Sequence, residues 1–167
     1  MTQACRFTTT TLTGSEDVLF SVIYLVDPAT GIATISSTTF PDDHLPTYLA
    51  DLPHQVSTKK EGHQEGEDRW PLSQIIRSGQ LQLTQYDTSS LSEEERGISH
   101  GKVVLLPILN PQQRSVLAVM VIGINSYLRY DDAYRDWFNL IASQLSSALM
   151  NAKVLYISLK TTLKRLN

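Results

Sequence analysis

The sequence predicts an α+β domain in which an antiparallel sheet is covered on both faces and one long helix closes the chain. Three observations carry this reading: two pairs of apolar stretches joined by short polar turns, strands apolar on both alternations, and a run over 133–167 without a helix breaker. The 167 residues suit a single domain and leave no room for a sensor together with a complete catalytic domain.

Residues 18–26 (VLFSVIYLV) are rich in β-branched and aromatic side chains. One alternation carries Leu19, Ser21, Ile23 and Leu25, the other Phe20, Val22, Tyr24 and Val26, so both faces are nearly all apolar. Such a strand belongs in the middle of a sheet, with at least three layers in the domain. Asp27-Pro28-Ala29-Thr30-Gly31 supplies a turn, and 32–40 returns as the second strand of a hairpin. The stretch 41–69 is aperiodic, with seven acidic residues, three prolines and three of the four histidines. Within it Leu45, Tyr48, Leu49 and Leu52 stand at helical spacing behind Pro46, which predicts a short helix ending before Pro53, and 55–68 reads as a mobile loop.

Trp70-Pro71 opens a second helix with Leu72, Ile75 and Ile76 on one face and Gly79 where a left-handed cap is wanted. Residues 80–86 alternate as a strand, and Ser92-Glu93-Glu94-Glu95 has the spacing of a capping box. Residues 101–109 and 115–124 flank the polar turn 110–114 and read as a second hairpin of buried strands. Asp131 or Asp132 caps the last helix. Its apolar positions Tyr134, Phe138, Ile141, Leu145, Ala148, Ala152, Leu155 and Leu159 alternate in steps of four and three, the ~3.5-residue average of a coiled-coil seam. At ~1.5 Å per residue this helix reaches ~50 Å and overhangs a domain of this size. From Met150 onward there are four basic and no acidic residues while the apolar stripe persists, so a second helix is expected to cover it. The expectation is a parallel homodimer through Leu145, Ala148, Ala152, Leu155 and Leu159.

Composition narrows the function classes. Fourteen basic against 17 acidic residues give a net charge of -3, too small and mixed for a nucleic-acid or anionic-membrane binder. The longest apolar stretch, 116–124, is half of the ~18 residues that span a bilayer, and the first residues have no signal pattern, so a soluble cytoplasmic chain is expected. Cys5 is the only cysteine, which excludes an intrachain disulfide and two-thiol redox chemistry and makes it a small apolar filler. The histidines lack metal-ligand spacing, and the glycines form neither a phosphate loop nor a nucleophile elbow. No catalytic residue, metal ligand or cofactor is assigned. The polar connection 41–69 over an apolar sheet face describes a small pocket instead, with Tyr24, Trp70, Ser73 and Arg77 as candidate walls and donors for an unidentified, anionic or carbonyl-bearing small molecule. The alternative is that Trp70 and Leu72 fill that space as ordinary core.

Several short blocks stand along the chain in a recognisable order: Ala4-Cys5-Arg6 before a first helix, Asp17-Val18-Leu19-Phe20 and Tyr24-Leu25, Trp70-Pro71-Leu72, and Leu106-Pro107-Ile108. They continue in Asp131-Asp132-Ala133-Tyr134-Arg135-Asp136-Trp137-Phe138, Ile141-Ala142-Ser143-Gln144-Leu145 and Ala148-Leu149-Met150-Asn151-Ala152. In this order and spacing the chain resembles a GAF domain of the kind embedded in multidomain sensor and hybrid histidine kinases. The resemblance implies a PAS-like fold with a central antiparallel sheet of about six strands, helices on one face, a ligand cavity or its remnant on the other, and dimerisation through terminal helices. The chain departs from three active subfamilies: Cys5 lies at the wrong end to attach a bilin, the cyclic-nucleotide signature is absent apart from Asn125 and later acids, and one cysteine does not serve a methionine sulfoxide reductase.

The resulting expectation is a non-catalytic sensory domain over 1–152, with 153–167 continuing the signalling and dimerisation helix. It would be cut from a larger signal-transduction protein such as a histidine kinase, whose other domains are its partners, with neither nucleic acid nor membrane among them. The competing expectation is a ligand-free assembly module with a filled pocket.

Overall fold

A computed structural model describes residues 1–40, 45–46, 49–57, 70–85, 102–125 and 129–166, with side chains as far as 163. Six strands form one sheet: β1 (Val18–Asp27), β2 (Ile32–Thr38), β3 (Gln55–Ser57), β4 (Gln82–Gln85), β5 (Lys102–Leu109) and β6 (Val116–Ile124). Their order is β3-β2-β1-β6-β5-β4, and every neighbouring pair is antiparallel. The two strands that read as apolar on both alternations, β1 and β6, lie side by side at the centre, which explains why each has two faces to cover.

One face is covered by α1 (Thr2–Thr13) and the first half of α3 (Asp132–Leu166). Ile23, Val104, Leu106, Ile108, Met120 and Ile122 pack there against Cys5, Leu12, Phe138, Leu145 and Leu149. Phe20, Val22, Tyr24, Val103, Leu105, Val119 and Val121 point the other way, against Leu49, Leu52, Trp70 and the helix α2 (Leu72–Ser78). Each fully buried aliphatic or aromatic side chain contributes ~1.5–3 kcal/mol of burial free energy, so both layers hold the domain together.

Three local expectations differ in detail from the structure. Ala4-Cys5-Arg6 lies within α1 rather than before it. The helix survives four consecutive threonines because their hydroxyls fold back: Thr8 and Thr11 donate to the carbonyls of Ala4 and Phe7, while Thr9 shares a buried 2.8 Å hydrogen bond with Ser37. The short helix expected over Leu45 to Leu52 is of the tighter 3-10 kind at Leu49 and passes into a turn, with Leu49 N–H on Pro46 O and Leu52 N–H on Leu49 O; Tyr48 lies outside the described residues. Finally, Gln55–Ser57 pairs with Ile32–Thr34 as an edge strand instead of a loop. The rest of that loop, the Ser92 capping box, His44, His63 and His100 lie outside the described residues.

The other elements follow the sequence closely. Gly79 caps α2 in the left-handed conformation, φ 63°, with its N–H on Ile75 O at 2.9 Å. Asp131 Oδ1 accepts the Tyr134 N–H at 3.1 Å and opens α3.

Candidate functional site

The face under α2 is the one expected to hold a ligand. Alternation in β1 sends Phe20, Val22 and Tyr24 to this side, and Trp70 and Leu72 come down on them because Pro71 turns the chain into α2 there. Tyr24 and Trp70 are thus brought into one cluster, 1% and 5% exposed. The Tyr24 hydroxyl donates to Pro53 O at 2.6 Å, and burial pushes its phenol well above the usual range, so it stays neutral. That bond ties the central strand to the segment leading into β3.

Ser73 and Arg77 stand four apart on α2, but the helix turns Leu72 and Ile75 inward. Ser73 is half-buried at the margin, while Arg77, in the last turn, lies on the exposed side and outside the buried cluster. The arrangement therefore joins the two aromatic candidates in one buried cluster, with Arg77 exposed near the end of α2. Chemically it is an apolar cluster beside a neutral phenol. Among the described residues no group of side chains could hold a metal ion, and no helix is long and apolar enough to cross a membrane.

Sequence reasoning missed an aromatic pair on the same face. The rings of Phe20 and Phe40 stack with centroids 6.1 Å apart. Gly123 on the neighbouring strand leaves the space, since a Cβ there would stand 2.3 Å from Phe20 Cε1. A glycine inside an otherwise unbroken apolar strand was the available signal for such a close approach.

The seam residues divide. Leu145 is 2% exposed and packed in the domain's own core. Ala148 is exposed, Ala152 is half-buried, and Leu155 and Leu159 are each 64% exposed. Among the described residues, two side-chain hydrogen bonds fasten the first half of α3 to the sheet and its approach. Tyr134 OH donates to Asp17 Oδ2 at 2.7 Å at the start of β1, and Ser146 Oγ donates to Leu109 O at 2.6 Å at the end of β5. Around the first of these, Tyr130, Tyr134, Trp137 and Phe138 form an aromatic cluster, with Trp137 and Phe138 edge to face at 4.9 Å.

Solved structures resemble this architecture along nearly its whole length. A methyl-accepting chemotaxis protein fragment is 15% identical, with 92% of this chain and 89% of that one covered and a TM-score of 0.59. A GAF domain/HD domain protein from Geobacter sulfurreducens is 12% identical over 92% and 94%, with a TM-score of 0.60. A domain of a protein described as a two-component sensor histidine kinase from Sinorhizobium meliloti is 14% identical over 91% and 92%, with a TM-score of 0.56. At such identities these likenesses concern the fold. No curated protein matches the sequence. The GAF domain family model, however, matches residues 1–150, which takes in all six strands, α1, α2 and the buried half of α3, and the chain belongs to the GAF domain family.

Proposed function

We propose that this GAF domain is a non-catalytic sensory module that takes a small ligand on the α2 side of its sheet and relays occupancy through α3, as part of a histidine kinase or similar signalling protein. The single observation that carries the reading is the course of α3. It continues past Leu149, its last fully buried residue, with Val154, Leu155, Tyr156, Ile157, Leu159 and Leu163 all at least 53% exposed. A run of apolar residues of this kind is stable in water only when something covers it. Pairing with a second copy, in parallel and centred on Ala152, Leu155 and Leu159 with Ala148 at its margin, supplies that cover and gives the helix an output. Two of the neighbours of similar fold come from a chemotaxis protein and a sensor histidine kinase, which favours a signalling parent.

Ligand binding rests on the chemistry of the α2-side cluster, where Tyr24 and Trp70 supply aromatic walls and Ser73 a hydroxyl at the margin. A thermal-shift screen of small carboxylates and carbonyl compounds tests it. At least one compound is expected to raise the Tm of the wild type and not that of Trp70→Ala; no shift from any compound would favour the second reading. In that reading the space is filled, as the burial of Trp70, Leu72 and Ile75 and the use of the Tyr24 hydroxyl on Pro53 favour, and the domain only assembles.

A further inference from the structure

The two faces of the sheet meet mechanically at one corner. Gly79, the cap of α2, lies against Leu109 at the end of β5: a Cβ on Gly79 would stand 3.2 Å from Leu109 Cδ2 and 4.0 Å from Val116 Cγ2. The carbonyl of the same Leu109 accepts the Ser146 hydroxyl of α3 at 2.6 Å from the opposite layer. One residue therefore touches the helix on the candidate ligand face with its side chain and the long helix with its backbone.

Leu109 can do both because alternation along β5 turns its side chain to the α2 face, with Val103 and Leu105, while its carbonyl remains within reach of α3. The β5–β6 register shifts here by one residue of β6, so that Val116, not Leu117, stands opposite Leu109. The turn behind it is stiff. Asn110, 2% exposed, gives its N–H to Ser115 O at 2.7 Å and accepts the Gln112 N–H on Oδ1 at 2.9 Å, and its carbonyl accepts the Arg114 N–H at 2.9 Å. A displaced Leu109 thus moves with its turn rather than being absorbed by it. Ser146 sits beside Leu145 and one turn before Leu149, where α3 leaves the sheet. Its hydroxyl is the last side-chain hydrogen bond from α3 to the sheet among the described residues.

We propose that Leu109 and Ser146 are positioning residues that couple the C-terminal cap of α2 to the exit of α3, so that a shift of α2 changes how firmly the distal half of α3 is held. This deepens the relay proposed above and rests on it for its biological meaning, but its test uses no ligand, so failure of ligand binding and failure of the coupling are separable.

Hydrogen–deuterium exchange of α3 amides over 150–163 is the readout, with exchange of the central strands as the measure of global stability. Ser146→Ala is expected to speed exchange there about three- to tenfold, the range that loss of one such hydrogen bond produces, with the strands unchanged. Gly79→Ala pushes a Cβ toward Leu109 and is expected to act in the same direction. In the Ser146→Ala background it should add nothing. Leu109→Ala, which removes the atom the Cβ meets, should restore slow exchange to Gly79→Ala to the level of Leu109→Ala alone. If Gly79→Ala does not fold, Gly79→Asn replaces it, since asparagine tolerates the left-handed backbone and still carries a Cβ. Independent, additive effects of Gly79 and Ser146 substitutions would overturn the proposal. So would a Gly79 effect confined to α2.

Discussion

The two halves of α3 carry the same apolar stripe and have opposite surroundings. In the first, Phe138, Leu145 and Leu149 are 2% exposed or less and lie on the sheet; in the second, Leu155, Tyr156, Leu159 and Leu163 are more than 60% exposed. Periodicity shows which side of a helix is apolar, but what covers that side depends on reach. The strand that α3 lies against, β5, has eight residues and so extends ~26 Å, whereas the 35 residues of α3 extend ~52 Å. The sheet runs out before the stripe does. One sequence signal therefore encodes two roles, a core helix and an arm, and the boundary between them is set by the sheet.

Substitutions along the stripe should divide accordingly. In the first half, Phe138→Ala is expected to cost ~3–5 kcal/mol and Leu145→Ala ~2–5 kcal/mol, measured by urea unfolding at low protein concentration. In the second half, Leu155→Asp should leave stability under the same dilute conditions within about 0.5 kcal/mol of the wild type while abolishing association at high concentration. Equal losses from the two halves in dilute solution would erase the distinction.

A smaller effect tests the anchor at the start of the buried half. Burial, reinforced by the hydrogen bond to Asp17 and by its charge, pushes the Tyr134 phenol from its usual value near 10 up to about 12. The fold favours the neutral phenol, so its contribution is complete below pH 10 and is lost as the pH rises toward 12. Tyr134→Phe should reduce stability at pH 7 by ~1.5–3 kcal/mol, the range for a hydrogen bond to a charged group, and should flatten the decline of stability over that alkaline interval. Urea titrations of both proteins across it provide the check. An unchanged alkaline slope in Tyr134→Phe would show that the phenol is not held in this way.

Much of this organisation was legible in the residues. The two hairpins, the glycine cap of α2 and the course of α3 each rest on local patterns within a window of ten to twenty residues, and so does the central position of β1 and β6. What was not legible depends on distant contacts. Nothing near Asp17 signals that its carboxylate receives the hydroxyl of Tyr134, 117 residues away, and nothing in β5 signals that the Leu109 carbonyl receives Ser146. The start of α1 was hidden for a different reason: Met1 makes no side-chain cap, so nothing ahead of Ala4-Cys5-Arg6 marks where the helix begins. At the candidate site, Tyr24 and Trp70 could be found because alternation and the Pro71 turn fix their side of the sheet. Arg77 could not be placed, because a seven-residue helix turns its one charged residue outward or inward according to which neighbours reach the sheet.

The central claim is that the distal half of α3 is left uncovered by its own domain and meets a second copy in parallel. Disulfide cross-linking of single-cysteine variants tests it most directly, with Cys5→Ala as the background and Leu155→Cys, Leu159→Cys or Thr161→Cys, exposed on the opposite side of the helix, introduced separately. The account predicts rapid same-residue cross-links at Leu155 and Leu159 and slow ones at Thr161, together with a dimer by light scattering. A monomer at every concentration, with no cross-linking at Leu155 or Leu159 beyond that at Thr161, would contradict it.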